Sequence, residues 1–219
     1  MSQNALKIVK NYYLHSSSII TKIHLLVKFR KNNAMIKLEK YIPKEGKILD
    51  VGCGHGIFSN LLIETSYKRE VVGIDIDKVK IQIAQGTVKG RKAIHFDILD
   101  IDEVKEKFDV IVIYDVLHHI KRILHLRFLQ QCYCKLNDKG LLVIKDVNKK
   151  YFIRYFIFCY LVDTINAIIN ITKGGERAFL NKTELTDVVS KANFTDICIE
   201  ELNNKDITPH LILTARKIL

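Results

Sequence analysis

Three glycines alternate with other residues directly after a short apolar run. Residues 47–51 read Lys-Ile-Leu-Asp-Val, and Gly52, Gly54 and Gly56 follow in one turn. Glycine suits such a turn because the backbone must bend tightly and a ligand can approach without meeting a Cβ atom. A dinucleotide fingerprint would place its third glycine at position 57, which is Ile57. The spacing therefore predicts a ligand-binding loop that is not of the NAD type.

Three aspartates accompany this loop. Asp50 precedes the first glycine, Asp75 closes the apolar run of residues 71–75, and Asp97 lies in the next such run. A carboxylate at the end of the second strand can accept hydrogen bonds from both hydroxyls of a ribose. Carboxylates would repel a pyrophosphate but attract a cationic ligand, and S-adenosylmethionine carries a sulfonium and an amino group. The loop and its aspartates therefore predict S-adenosylmethionine as the cofactor.

Two adjacent histidines follow the fourth apolar run, in the segment of residues 114–120, Tyr-Asp-Val-Leu-His-His-Ile. Methyl transfer depends mainly on alignment of the reacting atoms, which can supply about 7–11 kcal/mol. A hydroxyl acceptor would also need a base, and histidine titrates in the right range. Adjacent side chains point to different sides, so we expect one histidine to face the cofactor, with His119 preferred over His118. Asp115 fits a helix cap and a cofactor contact equally well.

The elements that position these residues alternate between two kinds. Short runs rich in Ile, Val and Leu alternate with longer segments of mixed polarity, which is typical of βαβ units around a parallel sheet buried on both faces. The predicted strands are residues 47–51, 71–75, 93–98, 110–114 and 141–146. The predicted helices between them are residues 57–66, 77–87 and 122–136.

The two ends of the chain differ from this central pattern. Residues 5–41 are basic and predict a helical cap before the sheet. After the fifth strand we expect an aromatic helix, a second helix and two strands, which brings the sheet to seven strands. These elements are residues 151–171, 182–192, 195–200 and 210–216. We expect a single domain over residues 1–219, divided into the cap (1–44), the cofactor-binding core (45–146) and acceptor-side helices with the final strand pair (147–219).

The central motifs resemble those of class I S-adenosylmethionine-dependent methyltransferases, over residues 45–146. The motifs are residues 49–56, 72–75, 96–97 and 108–111. The resemblance implies an α/β, Rossmann-like, seven-stranded and mostly parallel sheet with helices on both faces.

The resemblance also implies roles for individual residues. Asp50 and the glycines would line the methionine part of the cofactor, Asp75 would hold the ribose, and Asp97 with Ile98 would border the adenine. The full expected cofactor site is Asp50, Gly52, Cys53, Gly54, Gly56, Asp75, Ile76, Asp97, Ile98, Tyr114 and Asp115. The arrangement of residues 115–119 resembles small-molecule and lipid-directed members, in which the later histidine faces the site. A looser resemblance of the C-terminal part to small bacterial methyltransferases leaves Asp146 and His210 as acceptor-side candidates, although structural roles are favoured for both.

The absence of several motifs limits the classes of methyl acceptor that the sequence predicts. The chain has no Pro-Pro-aromatic motif for base amino groups, no Pro-Cys pair for cytosine and no evident carboxylate cluster for magnesium. We therefore expect no metal, and an oxygen or carbon of a small, hydrophobic or lipid-like molecule as acceptor. The net charge of +11 keeps RNA or protein methylation open, although nucleic acid is disfavoured as a partner. A non-catalytic module that binds a partner or membrane is the remaining alternative.

Two segments are candidates for peripheral membrane contact. Residues 1–38 carry basic residues and no acid, with Ile and Leu at helical spacing, and residues 151–171 are aromatic but too short and interrupted to span a bilayer. The aromatic segment equally fits a plain core helix or a lid over the acceptor. Five cysteines without metal-binding spacing favour a reduced compartment, so we expect the cytoplasm, with peripheral membrane contact as an option.

Overall fold

The computed structural model describes residues 2–13, 33–149, 178–202 and 210–218. The predicted aromatic helix and the middle of the predicted cap lie outside these ranges. The helices described are α1 (Ser2–Tyr12), α2 (Asn33–Glu39), α3 (Ile57–Thr65), α4 (Lys78–Gln85), α5 (His125–Lys135) and α6 (Lys182–Lys191). The strands are β1 (Glu45–Val51), β2 (Lys68–Ile74), β3 (Ile94–Asp97), β4 (Phe108–Tyr114), β5 (Leu136–Val147), β6 (Phe194–Leu202) and β7 (His210–Lys217).

The strands form one sheet in the order β3-β2-β1-β4-β5-β7-β6. Strands β1 to β5 are parallel, and β7 runs antiparallel to both β5 and β6. The predicted seven-stranded, mostly parallel sheet is confirmed. The chain leaves β1 toward β2 on one side and later returns to β4 on the other. Open α/β sheets bind ligands at such a reversal, beyond the carboxyl ends of the strands.

Helices cover both faces of the sheet. Successive strand residues point to opposite faces, so Ile48 packs in one core cluster and Leu49 in the other. The first cluster receives buried side chains from α1 to α4, and the second receives them from α5 and α6. The two-faced burial explains why the parallel strands are apolar at consecutive positions.

The described part of the N-terminal cap packs on the sheet through its apolar side. Helix α1 buries Ala5, Leu6 and Val9, which lie on one helical face, and contacts α3. Helix α2 is fixed at its end by Glu39, which forms an ion pair with the fully buried Arg69 of β2 at 3.0 Å. The apolar faces of α1 and α2 are thus committed to the protein core.

Within the described ranges, none of the helices combines the length and apolar character that crossing a bilayer requires. The membrane contacts predicted for residues 1–38 and 151–171 stay predictions, because residues 14–32 and 150–177 lie outside the described ranges.

Candidate functional site

The three glycines of the loop after β1 all have left-handed backbone angles, with φ of 68°, 55° and 74° at Gly52, Gly54 and Gly56. A Cβ on Gly52 would lie 2.5 Å from a methyl carbon of Val116, and one on Gly56 would lie 2.5 Å from the ring of Phe96. A Cβ on Gly54 would meet nothing closer than 3.9 Å. The outer glycines therefore allow tight packing, whereas a Cβ on Gly54 would be in ordinary contact with Lys80 and Asp75, so its backbone is the less crowded part of the loop.

Asp75 holds this loop from the end of β2. The backbone N–H of Gly54 donates to its Oδ2 and the N–H of Asp77 donates to its Oδ1, both at 2.9 Å. Each carboxylate oxygen keeps a second lone pair, so the side chain can still accept hydrogen bonds from a diol. The structure thus brings together two residues that the sequence placed 21 positions apart.

Two exposed apolar side chains lie beside these carboxylates. Ile76 is 76% exposed and Ile98 is 45% exposed, and they directly follow Asp75 and Asp97. Strands β2 and β3 pair in register with Ile74 opposite Asp97, so both isoleucines lie at the same edge of the sheet. Branched apolar side chains at such an edge can cover the faces of a flat ring.

A small pocket lies on the other side of the loop. It is lined by Met35, Asp50, Gly52, Cys53, His55, Ile57, Phe58 and Tyr114. Asp50 is buried, and the hydroxyl of Ser59 donates to its Oδ2 at 2.5 Å. Phe58 stacks on Tyr114 with ring centroids 5.4 Å apart. Met35 belongs to α2, so the cap contributes one wall of the pocket.

Asp115 forms an ion pair with Lys145 of β5. The ammonium of Lys145 donates to Asp115 Oδ1 at 2.6 Å, and the N–H of Asp115 donates to the carbonyl of Lys145 at 2.9 Å. Burial acts to raise the pKa of Asp115, but the charge of Lys145, aided by His210 and His118, outweighs it and lowers the pKa to about 2. The following turn, Leu117–His119, has no side-chain cap and begins after Val116. The helix-cap interpretation of Asp115 is therefore wrong.

His118 and Asp146 form a buried pair. Nδ1 of His118 lies 2.5 Å from Asp146 Oδ1, and the backbone N–H of His118 donates to Oδ2 at 3.1 Å. The ring of Phe179 stacks on that of His118 at 5.2 Å. Burial acts to lower the pKa of His118, but the charge and hydrogen bond of Asp146 outweigh it, so the pKa is raised above 6.5. His119 is exposed and its ring lies 4.1 Å from that of His118.

One cluster in the described ranges could hold a metal ion. Ligand atoms of Asp115, His118 and Asp146 all lie within 4.8 Å of one another. The sequence did not reveal this cluster, because Asp146 reaches it only through the pairing of β4 with β5. Lys145 already places a positive charge against Asp115. The positive charge beside this cluster is therefore supplied by the Lys145 ammonium.

A glycine loop after β1, a carboxylate after β2 and a seven-stranded sheet with a reversed β7 together define the class I methyltransferases. The family model described as a methyltransferase domain matches residues 26–199, and the chain belongs to this family. Its methyltransferase domain belongs to a class that uses S-adenosylmethionine as methyl donor. The uncrowded backbone at Gly54, the anchored carboxylate of Asp75 and the exposed Ile76 fit this cofactor.

Named relatives match a little over half of the chain. The ubiquinone biosynthesis O-methyltransferase of Haemophilus ducreyi is 30% identical over 136 residues, which cover 58% of this chain and 55% of that protein. The mitochondrial enzyme of the same name from Saccharomyces cerevisiae is 28% identical over 130 residues, which cover 57% and 41%. The chain thus spans about half the length of these relatives.

A solved structure extends the fold comparison to nearly the whole chain. The N-methyltransferase NodS from Bradyrhizobium japonicum, in complex with S-adenosyl-L-homocysteine, has a TM-score of 0.64 and covers 98% of each chain. At 15% identity this likeness shows the fold.

Proposed function

We propose that the protein transfers a methyl group to a hydroxyl oxygen of a small, hydrophobic or lipid-like acceptor, and that His118 is the base. The observation that carries this proposal is the buried pair of His118 and Asp146, which lies at the carboxyl edge of β4 and β5. When bound, S-adenosylmethionine supplies an electrophilic methyl group. The protein must then orient the acceptor and remove its proton.

The hydrogen bond to Asp146 assigns the protonation of the His118 ring. Because an ionised carboxylate only accepts, Nδ1 of His118 must carry the proton in this pair. In the neutral ring Nε2 is therefore the nitrogen that accepts a proton from the acceptor hydroxyl. The raised pKa makes this nitrogen a stronger base than an ordinary histidine. His119 then borders the base rather than acting as one.

The cofactor would be held along the neighbouring strand ends. Asp75 would accept the ribose hydroxyls, and Ile76 with Ile98 would cover the adenine faces. The pocket containing Asp50 and Met35 would receive the amino-acid part, because its buried carboxylate favours a cationic group. These assignments agree with the residue types at each position.

The names of two relatives support oxygen as the methylated atom. Both are called O-methyltransferases of ubiquinone biosynthesis, so their names specify an oxygen acceptor and a lipid-like product. For this chain we propose the same type of acceptor atom on a hydrophobic molecule. The charge of +11 keeps RNA or protein methylation as the alternative.

The test is incubation of the enzyme with isotopically labelled S-adenosylmethionine and either a panel of phenols and hydroxylated lipids or a cell extract. We expect label in the organic fraction as a methyl ether. His118→Gln should reduce this transfer by about 100-fold or more, because general-base assistance is lost. His95→Gln is the matched control, since His95 is half-exposed on β3. Label found in RNA, protein or an N-methyl product would contradict the proposal.

A further inference from the structure

Tyr13, directly after α1, is bonded to the glycine loop. Its hydroxyl donates to the backbone carbonyl of His55 at 2.7 Å, and both residues are buried. His55 lies between Gly54 and Gly56 of the loop. The N-terminal helix therefore holds the backbone segment that a cofactor must contact.

A second side chain extends this connection. The amide of Asn60 on α3 donates to the Tyr13 hydroxyl at 3.1 Å and to the carbonyl of Gly56 at 2.8 Å. Two successive loop carbonyls, those of His55 and Gly56, are thus held by one small network. Burial raises the pKa of Tyr13, which keeps its hydroxyl protonated and able to donate.

Helix α2 reaches the same pocket from its own anchor. Met35 lines the pocket together with His55, and α2 ends at Glu39, which is paired with Arg69. The guanidinium of Arg69 also donates to the carbonyl of Pro43 at 2.7 Å, so the connection from α2 into β1 is fixed. Helix α2 therefore lines the pocket, and Tyr13 after α1 is bonded to one of the lining residues, His55.

We propose that Tyr13 is a positioning residue for S-adenosylmethionine, and that docking of α1 is energetically coupled to cofactor binding. A loop with three left-handed glycines is costly to order, and a hydrogen bond that orders it beforehand reduces the cost of binding. Coupling is reciprocal, so the cofactor must stabilise docked α1 by the same factor. The inference rests on the cofactor site of the proposed function but not on its acceptor or on His118.

Tyr12 provides a matched control one residue away. Its hydroxyl donates to Glu64 of α3 at 2.7 Å, whereas that of Tyr13 donates to the loop. Calorimetric titration with S-adenosylhomocysteine should show the affinity of Tyr13→Phe weakened about tenfold, since a buried carbonyl loses this donor. Tyr12→Phe should bind within about twofold of wild type, because the loop bond remains.

Hydrogen exchange measures the docking of α1 directly and can be followed in the wild-type protein. S-adenosylhomocysteine should slow amide exchange of α1 in the wild-type protein and in Tyr12→Phe, and less so in Tyr13→Phe. Equal affinity losses in both variants, unaltered affinity of Tyr13→Phe, or unchanged exchange of α1 in the wild type would overturn the inference. Failure of the wild type to bind S-adenosylhomocysteine would instead remove the cofactor site on which the proposed function stands.

Discussion

Both carboxylate oxygens of Asp146 position His118. Oδ1 lies 2.5 Å from the ring nitrogen Nδ1, and Oδ2 accepts from the backbone N–H at 3.1 Å. The ring and the loop that carries it are therefore fixed by one side chain of β5. Because the carboxylate fixes the tautomer, this relationship determines which ring nitrogen can receive a proton.

Replacement of Asp146 by asparagine should change the pH dependence of methyl transfer. His118 acts as a base only when neutral, so wild-type kcat/KM should rise with pH around a pKa above 6.5. Asp146→Asn removes the charge that raises this pKa, which moves the rise to lower pH, and kcat should fall by about 100-fold because orientation is lost. The measurement is a pH profile of kcat/KM from pH 5 to 9. An unshifted profile would show that His118 does not titrate in the reaction.

The sequence predicts the sheet well because most of the parallel strands contain consecutive apolar residues. Strand β5 shows where this signal ends. It was predicted from residue 141 but begins at Leu136. The first residues of this strand include the exposed Asp138 and Lys139, and Gly140 follows them. These residue types are typical of a loop. A register shift opposite Phe108 and Val110 accommodates them, and such an irregularity has no simple sequence pattern.

Local motifs of the site could be predicted, whereas long-range pairs could not. The glycine loop is a contiguous motif, and Asp75 was recognised from its place at the next strand end. Lys145 meets Asp115 across 30 residues because Tyr114 and Lys145 are paired in the sheet. A parallel alignment of the β4 and β5 ends would have suggested this contact. The preference for His119 over His118 rested on the different directions of adjacent side chains and on the family resemblance, and neither of these reveals that His118 is buried beside Asp146 of β5.

Two glycine substitutions should separate binding from folding. Gly54→Ala should cost about 1–2 kcal/mol of stability, because φ is 55° and its Cβ would make only ordinary contacts with Lys80 and Asp75. The same substitution should weaken the binding of S-adenosylhomocysteine by tenfold or more, because the Cβ lies where we propose that the ligand approaches. Gly52→Ala should destabilise more, since its Cβ would also clash with Val116. Thermal unfolding and calorimetric titration test this, and tight binding by Gly54→Ala would contradict the placement of the ligand.

Removal of the Lys145 ammonium should destabilise the folded protein and raise the pKa of Asp115. Lys145→Met should cost about 1–2 kcal/mol, less than a fully buried pair, because Asp115 is 35% exposed. The pKa of Asp115 should rise from about 2 toward 3.8. Asp115→Asn should recover part of the loss, since asparagine tolerates the left-handed φ of 56°. Urea unfolding of the two single variants and the double variant gives a double-mutant cycle. Strictly additive losses of unfolding free energy would show that the two residues are not coupled.

The pair of Arg69 and Glu39 should determine whether the cap stays attached to the core. Their side chains are 0% and 2% exposed, and Arg69 also donates to the carbonyls of Ile42 and Pro43. Arg69→Met should therefore cost about 3–5 kcal/mol, because it leaves a buried carboxylate without this partner. Adding Glu39→Gln should recover part of that cost, since the buried charge is then removed.

The same pair predicts a pH dependence of stability. Burial acts to raise the pKa of Glu39, but hydrogen bonds from Lys44, Thr65 and Arg69 outweigh it, so the folded pKa lies below 4.5. The unfolded chain therefore binds a proton more readily, and the contribution of the ionised Glu39 is present above pH 4.5 and lost as the pH falls through the folded pKa. Urea unfolding from pH 3.5 to 7 should give a gap in unfolding free energy between wild type and Glu39→Gln. This gap should narrow as the pH falls. A gap that widens on acidification would mean that Glu39 is protonated in the folded protein and that Arg69 is held by its carbonyl partners alone.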